Sequence, residues 1–349
     1  MLRLVLLVLA ALCTAPAAAQ APLPVHIGGR VVADGEGWRF GWPGVYFEGR
    51  FRGTGVTVAV ESATEHFRVL VDGQERAVIV QPGTARLTLS GLAPGEHVVR
   101  LEKVTESQQG GGRFLGFRPE AGGAALPPAP RARRIEFIGD SYSVGYGNAS
   151  HGRICTRQEV HDFTDTGRAF GPLVAGRLGA DYRVNAFSGH GVVRNYGGSS
   201  PGSSLPLIYD RMIPGEAEGL VDGEEDWRPQ LIVIALGAND FSTPLHAGER
   251  WPDQAALRAD WRATYLAFAR MLIARQPQAR ILLMGRDPFF ADVEQVAAEL
   301  NRDARRPVLT LRYAEMDLLG CDWHPSLADH RAQAEALEAA IGRIAGLWD

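Results

Sequence analysis

Three short segments of this chain are equipped for chemistry: Gly139-Asp140-Ser141, Gly237-Ala238-Asn239-Asp240 and Asp322-Trp323-His324-Pro325. Between them they offer a hydroxyl, a side-chain amide and an imidazole, the parts of an acyl-transfer site. A serine hydroxyl is a weak nucleophile at neutral pH and needs a base within hydrogen-bond reach. Ser141 is the candidate nucleophile and His324 the candidate base, because an imidazole titrates near physiological pH. Asn239 is placed to offer its amide to a developing oxyanion. The backbone N–H groups of Ser141 and of Gly189, in Ser188-Gly189-His190-Gly191, complete a candidate oxyanion hole. Taken singly, each motif has an ordinary reading as a turn or an exposed polar residue. Their order and context carry the weight.

The elements that must position these residues are legible from hydrophobic patterning. Apolar runs predict strands near 134–138, 183–187, 231–236, 280–285 and 308–312, alternating with amphipathic helices near 166–179, 254–275, 290–302 and 326–346. That rhythm predicts a parallel sheet flanked by helices, an α/β domain over 134–349. Loops leaving the C-terminal ends of parallel strands line one crevice, so Ser141, Gly189 and Asn239 are expected at one edge. Ser326 and Asp329 have the spacing of a capping box, which puts His324 on the loop entering the last helix.

Residues 24–120 have a different texture. Short alternating runs, such as Val56, Val58 and Val60 or Phe67, Val69 and Val71, are separated by Asp72-Gly73, Pro82-Gly83 and Pro94-Gly95 turns. This predicts an antiparallel all-β sandwich, a jelly roll. The segment 121–133, rich in Ala, Gly, Pro and Arg, reads as a linker.

Residues 1–19 read as a signal peptide: Arg3, an apolar core from Leu4 to Leu12, and Ala17-Ala18-Ala19 before Gln20. Cys13 is a poor lipidation site because bulky Leu12 precedes it. A periplasmic or secreted location is expected, with no integral membrane segment after cleavage. Export leaves Cys155 and Cys321, and an oxidising compartment favours a disulfide between them, tying the loop after Ser141 to the loop before His324. The net charge of −4 argues against nucleic acid as a partner. No histidine grouping has metal-site spacing and no phosphate or dinucleotide loop is complete, so neither metal nor cofactor is expected.

Gly139-Asp140-Ser141, Gly189, Gly237-Ala238-Asn239-Asp240 and His324 stand in the order of the four blocks of SGNH hydrolases, the GDSL-like esterases, which the chain resembles over 134–349. The β-rich N-terminal block, Ser188-Gly-His-Gly-Val-Val-Arg-Asn195 and Asp322-Trp-His-Pro325 look more specifically like carbohydrate esterase family 2. That resemblance implies a jelly-roll domain before a flavodoxin-like SGNH domain, and an acetyl esterase acting on acetylated xylan or mannan. The chain departs from many SGNH enzymes where Cys321 replaces an Asp three residues before the histidine. Asp322 is then the candidate third member of a triad, unless a backbone carbonyl orients the ring of a Ser–His dyad. Trp323 and His190 are candidate substrate contacts. Acyl groups of envelope glycan or lipid are alternative targets, and a non-catalytic carbohydrate-binding protein is the alternative from another class.

Overall fold

The computed structural model describes residues 21–108, 110–217, 219, 226–302 and 306–349. The expected signal peptide lies outside the described residues.

The N-terminal half contains β1 (Val25–Gly28), β2 (Val31–Asp34), β3 (Gly37–Phe40), β4 (Tyr46–Gly53), β5 (Val56–Ser62), β6 (His66–Val71), β7 (Gln74–Val80), β8 (Gly83–Leu89), β9 (Gly95–Lys103), β10 (Gly112–Pro119) and β11 (Ala124–Leu126). They form two antiparallel sheets, ordered β1-β4-β9-β6-β7, with β11 also on β4, and β2-β3-β10-β5-β8. Alternate residues such as Phe47, Phe51, Val58, Val60, Phe67 and Val69 point inward and are buried, so the period-2 pattern becomes the sandwich core. Within 121–133, β11 extends the first sheet by pairing with β4.

In the second half, β12 (Arg133–Gly139), β13 (Ala180–Ala186), β14 (Leu231–Ala235), β15 (Arg280–Gly285) and β16 (Leu309–Arg312) form a parallel sheet ordered β13-β12-β14-β15-β16. This is the flavodoxin-like order, with its topological switch beside β12. The helices are α1 (Ser141–Val144), α2 (Arg157–Phe163), α3 (Phe170–Arg177), α4 (Leu205–Ile208), α5 (Ala238–Phe241), α6 (Gln254–Arg275), α7 (Phe290–Leu300) and α8 (Leu327–Ile341). Ile135, Phe137, Leu231 and Val233 bury one sheet face with Val174 of α3 and Leu337 of α8. Ile138, Ile232 and Ile234 bury the other with Trp261 and Tyr265 of α6 and Val293 of α7. Each such aliphatic side chain contributes about 1.5–3 kcal/mol on full burial.

Two helix boundaries differ from the sequence expectation. The stretch 166–179 divides into a 3₁₀ turn at Thr166–Arg168 and then α3. Pro172 explains the split: it falls in the first turn of α3, where its missing N–H is harmless, but would sit inside a helix begun at 166. The last helix stops at Ile341 and caps on Gly342 rather than continuing to 346.

Polar side-chain contacts join the two halves. Arg68 of β6 reaches Asp165, and Arg100 of β9 donates to the Tyr182 hydroxyl at 3.1 Å. Tyr46 of β4 donates to Asp181 at 2.8 Å. No helix among the described residues is long and apolar enough to cross a membrane.

Candidate active site

The register of the parallel sheet assembles the site. Gly139 of β12 pairs with Ala186 of β13 and with Ala235 of β14. Ser141, Gly189 and Asn239 follow those ends within a few residues and so meet at one edge. His324 arrives from the other side, on the loop held by the α8 capping box of Ser326 and Asp329.

The Ser141 hydroxyl lies 2.9 Å from Nε2 of His324. Nδ1 of the same ring lies 3.0 Å from the Cys321 carbonyl and 3.1 Å from the Asp322 carbonyl. Both oxygens only accept, so Nδ1 carries the proton and Nε2 turns its lone pair to the serine. The Asp322 carboxylate is not the partner of the ring. It accepts instead from the Tyr146 hydroxyl at 2.9 Å. The expected triad geometry is therefore absent, and the backbone-oriented alternative is what the structure contains. The Asp322 charge acts on the ring only through space, opposing burial, which lowers the His324 pKa from its ordinary value.

Asp322 and Trp323 aim those carbonyls by adopting φ of +50° and +57°. Consecutive left-handed residues other than glycine cost of order 1–3 kcal/mol each and need support from their surroundings. Support comes from the Cys155–Cys321 disulfide and from the Asp322 N–H donating to the Arg153 carbonyl at 2.7 Å. Arg153 in turn donates to the carbonyls of Leu318 and Asp317 at 2.9 and 2.7 Å. Gly147 lets the loops meet: a Cβ there would lie 2.4 Å from the Cys321 Cβ.

Asn239 is buried and donates from Nδ2 to the His190 carbonyl at 2.9 Å, with the Asp140 carboxyl at 3.4 Å. Its amide thus stands between the Ser141 turn and the Gly189 loop. Gly189 has φ +81°, and a Cβ added there would meet nothing within 4 Å, so this position opens on free space. Asp140 caps the Ser141 turn by accepting the Tyr142 N–H at 3.0 Å. Asp240 accepts from Val192, Val193 and Arg194 N–H at 3.0, 2.9 and 2.9 Å, which holds the continuation of the Gly189 loop. Burial pushes these two carboxyls up to about 7 and about 6. His190 packs its ring on Phe187, and burial lowers its pKa to about 4, so the ring is neutral near neutral pH. Trp323 is 55% exposed, so it is not packed into an interface between the halves. A cavity of about 680 Å³ opens beyond the loop, between Arg194, Leu207 and Trp251, and Ser141 and His324 do not line it.

Sequence reasoning missed Tyr146 and Tyr142. The Tyr146 ring lies over the imidazole at 4.2 Å between centroids, inclined by 30°, and Tyr142 meets it edge-on at 5.7 Å. Tyr146 sits in Gly145-Tyr146-Gly147-Asn148, which carries no chemical signature beyond its closeness in sequence to Ser141.

This pairing of a serine–histidine couple at a flavodoxin-type sheet edge with an N-terminal jelly roll defines a class of hydrolase, and comparison with known proteins agrees. Residues 27–130 match the carbohydrate esterase 2 N-terminal family, and residues 137–342 match the GDSL-like lipase/acylhydrolase family. The chain is 40% identical over 336 residues to an acetylxylan esterase / glucomannan deacetylase of Cellvibrio japonicus, covering 94% of this chain and 93% of that protein. A solved carbohydrate esterase, described as having divergent catalytic and non-catalytic binding functions in its active site, superposes with a TM-score of 0.88 at 39% identity, covering 94% of this chain and 100% of the other. A family two carbohydrate esterase from Clostridium thermocellum, solved with cellohexaose, gives 0.81 at 30% identity, covering 93% and 100%. The chain belongs to carbohydrate esterase family 2, within the GDSL-like acylhydrolases.

Proposed function

We propose that this protein is an exported, metal-independent serine esterase that removes O-acetyl groups from polysaccharide, with xylan and glucomannan as the first substrates to try. The observation that carries the reading is the 2.9 Å contact between the Ser141 hydroxyl and a His324 nitrogen whose opposite nitrogen is occupied by backbone carbonyls. The ring therefore has one free lone pair, and it faces the nucleophile.

Ser141 Oγ attacks the acetyl carbonyl carbon while its proton passes to His324 Nε2. The carbonyl oxygen becomes an oxyanion, held by the N–H groups of Ser141 and Gly189 and by the Asn239 Nδ2 hydrogen that gives up its long 3.4 Å contact with the Asp140 carboxyl. The carbon–oxygen bond to the sugar then breaks, and the Nε2 proton goes to the leaving sugar oxygen. Water attacks the acetyl-enzyme, gives a proton to Nε2, and acetate leaves as Ser141 recovers its proton. The imidazolium formed in each half-cycle is stabilised by the two carbonyls at Nδ1 and by the face of Tyr146. Trp323, beside His324 and exposed, is a stacking platform for a sugar ring. The neutral His190 ring borders the oxyanion loop and is suited to a sugar hydroxyl. The N-terminal leader supports export to the periplasm or beyond.

Ser141→Ala is expected to abolish aryl acetate hydrolysis with an unchanged thermal transition. Acetate release compared across acetylated xylan, mannan, peptidoglycan and lipid esters identifies the substrate. Full activity in the Ser141 variant sinks the nucleophile, and a preference for lipid sinks the glycan.

A further inference from the structure

The sandwich domain reaches across to the loop that carries Gly189. Ser107, buried just after β9, donates from Oγ to the Ala186 carbonyl at 2.9 Å. Gln108 donates from Nε2 to the Ser188 carbonyl at 3.1 Å. The Ser188 carbonyl and the Gly189 N–H are two ends of one planar, trans peptide and point in opposite directions. A donor gripping the carbonyl from the sandwich side therefore sets where the N–H points on the other side. It also polarises that N–H toward donation, as linked hydrogen bonds do.

The turn bearing Ser107 and Gln108 is itself anchored. Lys103, the chain's only lysine, is 1% exposed. Its ammonium donates to the Thr105 carbonyl at 2.7 Å and to the Glu106 carbonyl, and pairs with Glu65 at 3.0 Å. All three ammonium hydrogens are thus accounted for. Glu65 also accepts from the Thr105 hydroxyl and, at 2.9 Å, from the Gly111 N–H. A buried, satisfied ion pair of this kind fixes geometry more than it adds stability.

We propose that Ser107 and Gln108 are positioning residues contributed by the N-terminal sandwich: Gln108 holds the Ser188–Gly189 peptide and Ser107 the strand end two residues before it, so that the Gly189 N–H faces the oxyanion formed at Ser141. The proposal rests on the esterase reading above and gives the sandwich domain a part in the chemical step. It favours the transition state, because the Gly189 N–H bonds the oxyanion more strongly than the neutral carbonyl.

The test uses the full-length protein and an aryl acetate, with kcat, KM, thermal transition and affinity for an alkylboronic acid, which forms a tetrahedral adduct on a reactive serine. Gln108→Ala and Gln108→Met, which keeps the length but loses the Nε2 donor, are expected to lower kcat by about tenfold to a hundredfold, with KM and thermal transition little changed. Boronate affinity falls in parallel with kcat/KM. Ser107→Ala behaves likewise, and Ser107→Thr, which keeps the hydroxyl, restores activity. Variants that keep kcat within about twofold of wild type, or that lose kcat with boronate affinity intact, overturn the proposal. So does a loss tracked only by the folded fraction. A wild type inert to aryl acetates would instead remove the esterase reading itself.

Discussion

Replacing Asp322 by asparagine separates two ways of holding a catalytic histidine. Where a carboxylate fixes the imidazole tautomer, its conversion to an amide lowers kcat about 10⁴-fold, or roughly 5 kcal/mol. Here the Nδ1 acceptors are the carbonyls of Cys321 and Asp322, and both survive the change. Asparagine also tolerates the left-handed backbone, φ +50°, that residue 322 must keep. An amide oxygen still accepts from the Tyr146 hydroxyl, so the loss is the charge-assisted part of the 2.9 Å bond. Such a change is worth about 1 kcal/mol, and Asp322→Asn should lower kcat by no more than about tenfold. The pH profile supplies an independent sign. The base must be neutral, and burial already sets the His324 pKa below its ordinary value, while the Asp322 charge pulls it up. Removing that charge lowers the pKa further, so the acid limb of kcat/KM should move to lower pH. Steady-state aryl acetate hydrolysis across the acid range measures both quantities. A kcat loss of about 10³ or more, or an acid limb displaced upward, would refute the backbone-oriented dyad.

Asn239→Ala should lower kcat by about a hundredfold to a thousandfold, from loss of an oxyanion donor, read against KM in the same assay. Its removal also frees the His190 carbonyl, held at 2.9 Å, so boronate affinity should fall with it. Cys155→Ser opens a disulfide spanning 166 positions in sequence. It should cost about 2–5 kcal/mol in denaturant unfolding and lower kcat as the left-handed turn at Asp322 and Trp323 loosens. Arg68→Met removes the link to Asp165 across the junction between the two halves, leaving Asp165 with Arg168 and Glu102 with Arg100. It should destabilise by about 1.5–3 kcal/mol, visible in urea unfolding; a loss below about 0.5 kcal/mol, typical of exposed pairs, would show that this pairing adds nothing.

The amino-acid order by itself determined the architecture and the candidate pair, Ser141 and His324, that the fold brings together. Apolar runs such as Leu231–Ala235 become buried parallel strands because they are short, rich in β-branched residues and apolar on both faces, which suits a sheet covered on both sides. Once the strands are parallel, their ends are neighbours, and Ser141 and Asn239 are carried together by register alone. The capping box at Ser326 and Asp329 is a local signal and stands as read. What only the tertiary structure decided is how the histidine is held. A left-handed turn at Asp322 and Trp323 has no signature in residue type, because its strain is carried by a disulfide and by Arg153, far away in sequence. The nearest carboxylate in sequence proved to serve Tyr146 rather than the ring, since direction, not spacing, decides which acceptor an N–H finds. Ser107 and Gln108 lie about eighty positions from the loop they grip, and no periodicity links two domains. Local patterns encode elements because their forces are local; the aim of a peptide plane or an imidazole is set by packing across the whole molecule.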